Sequence, residues 1–213
     1  MDRTVGKLIV GCERRIPAAA AILAAAMDDD PAYRYLMPNP LTRAQGLRDY
    51  FARSLRTYLP HRCTYIAVDA CGASGTVTMR PPGGLEVSTL TMIRRGLLPF
   101  AVTRGIAAVR RLFTLKDAYD RVEARLSEGR PHWYVHMMAI DPRKQGRGMG
   151  SALLANALAA TADARGARYP VLLTTHNERN VAFYHRAGFE VVDQHELALD
   201  GSAGYAVWGM RRT

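Results

Sequence analysis

One stretch, Gln145-Gly146-Arg147-Gly148-Met149-Gly150-Ser151, constrains this chain more than any other. An apolar run from Trp133 to Ile140 precedes it, and a helical pattern from Ser151 to Arg165 follows. A strand that turns through glycines into a helix leaves the first N–H groups of that helix without backbone partners. Glycine lets another group come close to the backbone, and the helix start carries partial positive charge. Such a loop therefore suits a phosphate or another anion.

Two common phosphate loops do not fit. A P-loop ends in Gly-Lys-Ser/Thr, whereas Gly150 is followed by Ser151 and Ala152. A dinucleotide loop needs its third glycine where Ser151 stands, and an acidic residue near the end of the next strand. That strand, Tyr169 to Thr175, ends in threonines.

At 213 residues and 48% hydrophobic, the chain reads as one domain over 1–213 with a helical insertion at about 88–128. Its 29 basic against 19 acidic residues give a net charge of +10. That excess suits an anionic ligand, a nucleic acid or an acidic lipid, and it equally suits a plain solvated surface. Cys12, Cys63 and Cys71 have no CxxC spacing, so neither a disulfide framework nor a metal site is expected. A reducing cytoplasm is the simplest location. Arg14-Arg15 and the apolar run Ile16 to Met27 resemble a signal peptide, but Ile16, Ala19, Leu23 and Met27 share one helical face behind a strand-like Lys7–Val10. No apolar run reaches the ~20 residues of a membrane span.

Strands are expected at 7–10, 63–69, 75–80, 132–140, 169–175, 189–198 and 204–211. Helices are expected at 16–27, 43–59, 151–165 and 179–187, with two or three more pieces inside the insertion. Asp28-Asp29-Asp30-Pro31 reads as the end of the first helix, and Pro38-Asn39-Pro40 as a turn.

Gln145, Gly148 and Gly150 match Gln/Arg-x-x-Gly-x-Gly/Ala, and Asn177, Tyr184 and Gly188-Phe189 follow in order. With these residues the chain resembles the GNAT acetyltransferase superfamily. PHWYVHMMAIDPRKQGRGMGSA (Pro131 to Ala152), LTTHNERNVAFYHRAGFEVV (Leu173 to Val192) and, more faintly, LAAAMDDDPAYRYLMP (Leu23 to Pro38) are closest to its puromycin N-acetyltransferase branch.

The resemblance implies a mixed α/β fold. It has a central, mostly antiparallel sheet with helices on both faces and a splayed parallel strand pair at the cofactor site. It implies acetyl-CoA, with its pantetheine arm on the backbone of Met138, Ala139 and Ile140. The pyrophosphate is expected near Gln145, Gly146, Arg147, Gly148, Gly150 and Ser151. Asn177 and Asn180 are expected beside the arm, Tyr184 as acid or hydrogen-bond donor to the leaving thiolate, and the Met138 amide as oxyanion donor.

The branch carries a glutamate where this chain has Thr174, so the base is open among His132, His136, His176 and Asp28 to Asp30. Asp29, Asp30, Tyr33, Trp133 and His176 are candidate acceptor contacts. The expected activity is acetyl transfer to a primary amine of a small molecule, by direct attack in a ternary complex. A protein N-terminal or lysine acetyltransferase and a non-catalytic acyl-CoA sensor are the alternatives. No nucleic-acid reading motif stands out, no membrane partner is expected, and a homodimer is left open.

Overall fold

The structure, a computed structural model, describes residues 7–83, 98–161, 169–199 and 203–213. Its strands are β1 (Lys7–Val10), β2 (Thr64–Asp69), β3 (Gly72–Arg80), β4 (Trp133–Ile140), β5 (Val171–Thr175), β6 (Glu190–Leu197) and β7 (Tyr205–Arg212). They form one sheet in the order β1-β2-β3-β4-β5-β7-β6, in which only the β4–β5 pair is parallel.

Helices α1 (Ile16–Ala26), α2 (Pro31–Leu36), α3 (Pro40–Tyr58), α4 (Leu98–Arg104) and α5 (Ile106–Ser127) cover one face. Helices α6 (Met149–Ala159) and α7 (Glu178–Arg186) cover the other. β4 shows why both faces must be covered. Met137 and Ala139 pack with Leu23, Leu47 and Phe51, while Val135 and Ile140 pack with Leu153, Leu154 and Phe189. A strand apolar on both sides needs a helical layer on each. The expected mixed α/β architecture is present.

Several boundaries differ from the periodicity, two of them because a side chain caps a helix. The acidic run opens a helix as well as closing one: the Asp30 side chain accepts the Ala32 N–H at 3.0 Å and caps α2, with Pro31 in its first turn. Asn39 does the same for α3, accepting the Leu41 N–H at 3.0 Å, so that helix begins at Pro40 rather than 43. β3 starts at Gly72, ahead of the expected 75.

Of the insertion, 88–97 lies outside the described residues. The remainder is two helices broken at Gly105, which has φ 81°. The helix expected at 151–165 ends already at Ala159, and the expected cap Gly166 lies outside the described residues. The chain needs no side chain at Gly209. A Cβ there would stand 2.4 Å from Leu126 Cδ2, so α5 lies directly on β7.

Candidate active site

β4 and β5 pair only at Trp133↔Val171 and Tyr134↔Leu172, and then part. The cause sits on the other side of β4. Thr78 pairs with Met137 and Met79 with Val135, so His136 is an extra residue, a bulge that bends the strand. Past the bulge, the Asp141 N–H bonds the Ser74 carbonyl at 2.9 Å. Alternation then turns the Ala139 backbone toward β3 and the Met138 and Ile140 backbones into the gap. The Gln145 side chain donates to the Ile140 carbonyl at 3.1 Å, which agrees. Of the three backbone positions expected on the pantetheine arm, Met138 and Ile140 thus face the gap. Ala139 is turned to the ladder instead.

The glycine loop closes the far end of β4. Asp141 accepts the Arg143 N–H and starts a short 3-10 turn, Pro142–Lys144. Lys144 ties the loop to Asp69 of β2 at 2.6 Å. Gly146 and Gly148 follow with φ 76° and 78°, a region that costs other residues roughly 1–2 kcal/mol. A Cβ at either would meet nothing within 4 Å, so the space above the loop is open. Gly148 caps α6, with Gly150 and Ser151 in its first turn. Arg147 is exposed there.

A cavity of about 400 Å³ lies at the gap, walled by α2, α3, α5, α7 and the parted ends of β4 and β5. Met138, Asn180, Tyr184, Asp30, Tyr33 and His176 line it. Asp29 and Trp133 do not: Trp133 belongs to the paired part of β4 and packs in the α6–α7 core. Asn177 accepts the Arg179 N–H at 2.9 Å and caps α7. Tyr184 is packed between Phe183 and Phe189, and burial pushes its phenol well above the ordinary range, so it stays a neutral donor.

One hydrogen-bonded chain crosses the cavity wall. The Asp30 carboxylate meets His176 Nδ1 at 2.8 Å, His176 Nε2 meets the Tyr119 hydroxyl, and that hydroxyl lies 3.1 Å from the Tyr205 hydroxyl. With Nδ1–H donating to Asp30, Nε2 holds the lone pair and accepts from Tyr119. Burial and Tyr205 raise the Tyr119 phenol far above its usual range.

The other histidines are less suited to act as base. Burial and nearby Arg80 hold His136 down to about 3, so it is neutral and weakly basic. His132 bonds Glu123 at 3.0 Å and lies outside the cavity. Thr174 shares a 2.8 Å hydrogen bond with Tyr134. Sequence reasoning missed Tyr119 and Tyr205. Tyr119 rides on the apolar stripe Leu115, Ala118, Val122 and Leu126 of α5, and a tyrosine beside such a stripe is the only local signal.

Residues 104–191 match the family model described as Acetyltransferase (GNAT) domain. That span of the chain has the pattern of a GNAT acetyltransferase domain. The matched span holds α5, β4, the glycine loop, α6, β5 and α7, which are the elements around the gap. The GNAT fold runs through the rest of the chain as well. The structure is similar to the polyamine N-acetyltransferase of Drosophila melanogaster that forms N-acetylagmatine (TM-score 0.66, 13% identity, 96% of this chain and 98% of that one). It is also similar to arylalkylamine N-acetyltransferase 2 of Aedes aegypti (TM-score 0.61, 12% identity, 97% of each chain). A third likeness is to a Corynebacterium glutamicum protein described as histone acetyltransferase HPA2 and related acetyltransferase (TM-score 0.58, 19% identity, 95% of this chain and 94% of that one). Among the described residues, no helix is long and apolar enough to cross a membrane, and no cluster of ligating side chains could hold a metal.

Proposed function

We propose that this chain is an acetyl-CoA-dependent N-acetyltransferase that acts on a primary amine of a small molecule by direct attack in a ternary complex. One observation carries the reading. The β4–β5 gap meets the glycine loop through Ile140 and Gln145, and it opens on a cavity lined by both Tyr184 and the Asp30–His176–Tyr119 chain. The residues fit acetyl-CoA: Met138 turns its backbone into the gap, and the space over Gly146 and Gly148 is open beside Arg147. When bound, acetyl-CoA supplies a thioester whose carbonyl an amine attacks and whose sulfur leaves as a thiolate.

The Met138 N–H, turned into the gap, would hold the developing oxyanion. The Tyr184 hydroxyl would donate a hydrogen bond to the leaving sulfur, and burial, which raises the phenol well above its ordinary range, keeps the proton on its own oxygen rather than transferring it. The amine gives its proton to the Tyr119 oxygen while the Tyr119 proton passes to His176 Nε2, so no free phenolate forms. Asp30 stabilises the resulting imidazolium, as a carboxylate behind a histidine does in hydrolytic triads. His176 thereby takes the role that Thr174 leaves vacant. Asn177 and Asn180 are read as neighbours of the pantetheine arm, the first through the helix start it caps.

The whole chain is read as one domain whose insertion walls the acceptor cavity. Free thiols at Cys12, Cys63 and Cys71 suit a cytoplasmic setting. The test is calorimetric titration with acetyl-CoA, with NAD and ATP as controls, followed by CoA release with an amine panel. Selective micromolar binding and amine-dependent release are expected. Folded protein that ignores acetyl-CoA would sink the proposal.

A further inference from the structure

Arg53 lies on the α3 wall of the cavity, with Tyr50 and Thr57 one turn away on the same face. The other ionic groups in that wall are paired: Asp30 with His176, Arg80 with Glu123, and Lys116 with Asp120. The Nε atoms of Arg53, Arg80 and Arg104 are all buried without a partner, but Arg80 and Arg104 pair through another nitrogen, whereas among the described residues the Arg53 guanidinium has neither an ion pair nor a hydrogen bond. Native structures rarely leave a buried donor unsatisfied, because the desolvation cost is then uncompensated.

A guanidinium is a planar fork that fits an oxyanion with two parallel hydrogen bonds. We propose that Arg53 binds a carboxylate on the acceptor, so that the substrate is an amine carrying one acidic group; this rests on the N-acetyltransferase reading above. The unpaired charge in the described wall is a single positive one, which matches a carboxylate better than a phosphate monoester of about −1.5 to −2. Tyr33, Tyr50, Phe100, Leu112 and Leu115 leave the space between for an apolar or aromatic body. The amine end then belongs at Tyr119 and His176, on the α5 and β5 walls, and the acid end at α3.

The experiment compares matched pairs as acceptors: phenylalanine with phenethylamine, γ-aminobutyrate with propylamine, and β-alanine with ethylamine. At least one amino acid should exceed its matched amine in kcat/KM by about tenfold or more, the size expected for a charge-assisted contact. In Arg53→Gln that ratio should fall toward one, while Arg53→Lys should keep part of it. Because the readout is a ratio within one protein, a partly misfolded variant does not mimic the effect. Ratios near one in the wild type, or a ratio that survives in Arg53→Gln, would overturn the inference. Weakened acetyl-CoA binding in Arg53→Gln would assign the arginine to the cofactor and overturn it too. Phenylpropionate binding, followed by calorimetry, tests the anion site without turnover. If it binds in an Arg53-dependent way while no amine releases CoA, the site stands and the acetyltransferase reading fails.

Discussion

Asp30 holds two hydrogen bonds at once: one carboxylate oxygen caps α2 through the Ala32 N–H, and the other meets His176. The two jobs separate by substitution. Asp30→Asn keeps a side-chain oxygen for the cap, so stability should change by less than ~1 kcal/mol. It removes the charge behind the imidazole, and kcat should fall by about 10²-fold or more. Chemical denaturation beside steady-state kinetics reads both, and an unchanged kcat would remove Asp30 and His176 from the proton path. Tyr184→Phe should lower kcat roughly tenfold to a hundredfold, with little change in acetyl-CoA affinity, because only the donor to the leaving sulfur is lost. A large affinity loss with normal turnover would contradict that role. At this scale the sequence named Tyr184, Asp30 and His176 as site candidates but left the base open. No spacing says that Tyr119 meets a histidine 57 positions away.

The loop and α5 position those residues, each through a glycine. Gly148 sits at φ 78° at the start of α6. Gly148→Ala should cost about 1 kcal/mol for the backbone alone, and Gly148→Glu should abolish acetyl-CoA binding by placing bulk and negative charge over the loop. Calorimetry on variants with intact circular dichroism decides this, and normal binding by Gly148→Glu would mean the loop serves another purpose. Gly209 acts by close approach, since its missing Cβ admits Leu126. Gly209→Val should push α5 off β7 and cost about 1–3 kcal/mol. It should also loosen Tyr119, which rides on the same helix, so melting temperature and kcat should fall together. The glycine loop was legible because its signal is local. Gly209 was not, because its partner lies on an element that touches it only in the folded chain.

Over the whole molecule, His136 couples stability to pH. It is the bulge residue of β4, packed on Tyr58 with ring centroids 5.0 Å apart, and burial first and Arg80 second hold it at about 3. An unfolded histidine titrates near 6.5, so between those values the unfolded chain takes up a proton that the folded chain refuses. The contribution is therefore full above about pH 6.5 and is lost as pH falls toward 3. Between pH 7 and pH 5 the loss should be ~2 kcal/mol, read by urea unfolding at both values. His136→Gln should shrink that difference, and an identical difference in both proteins would show that other groups carry it. The fold and the class of chemistry were implied by the family resemblance of the motifs, and the sequence by itself determined the strand, glycine loop and helix and the order of the motifs around them. Those features are written in short-range periodicity and backbone demands. Only the tertiary structure decided what lines the cavity at the β4–β5 gap. It brought Asp30 to His176 across 146 positions, set Tyr119 beside them and, among the described residues, left Arg53 without a partner. These meetings depend on where the His136 bulge parts two strands and on how closely α5 lies on the sheet, and no local pattern encodes either.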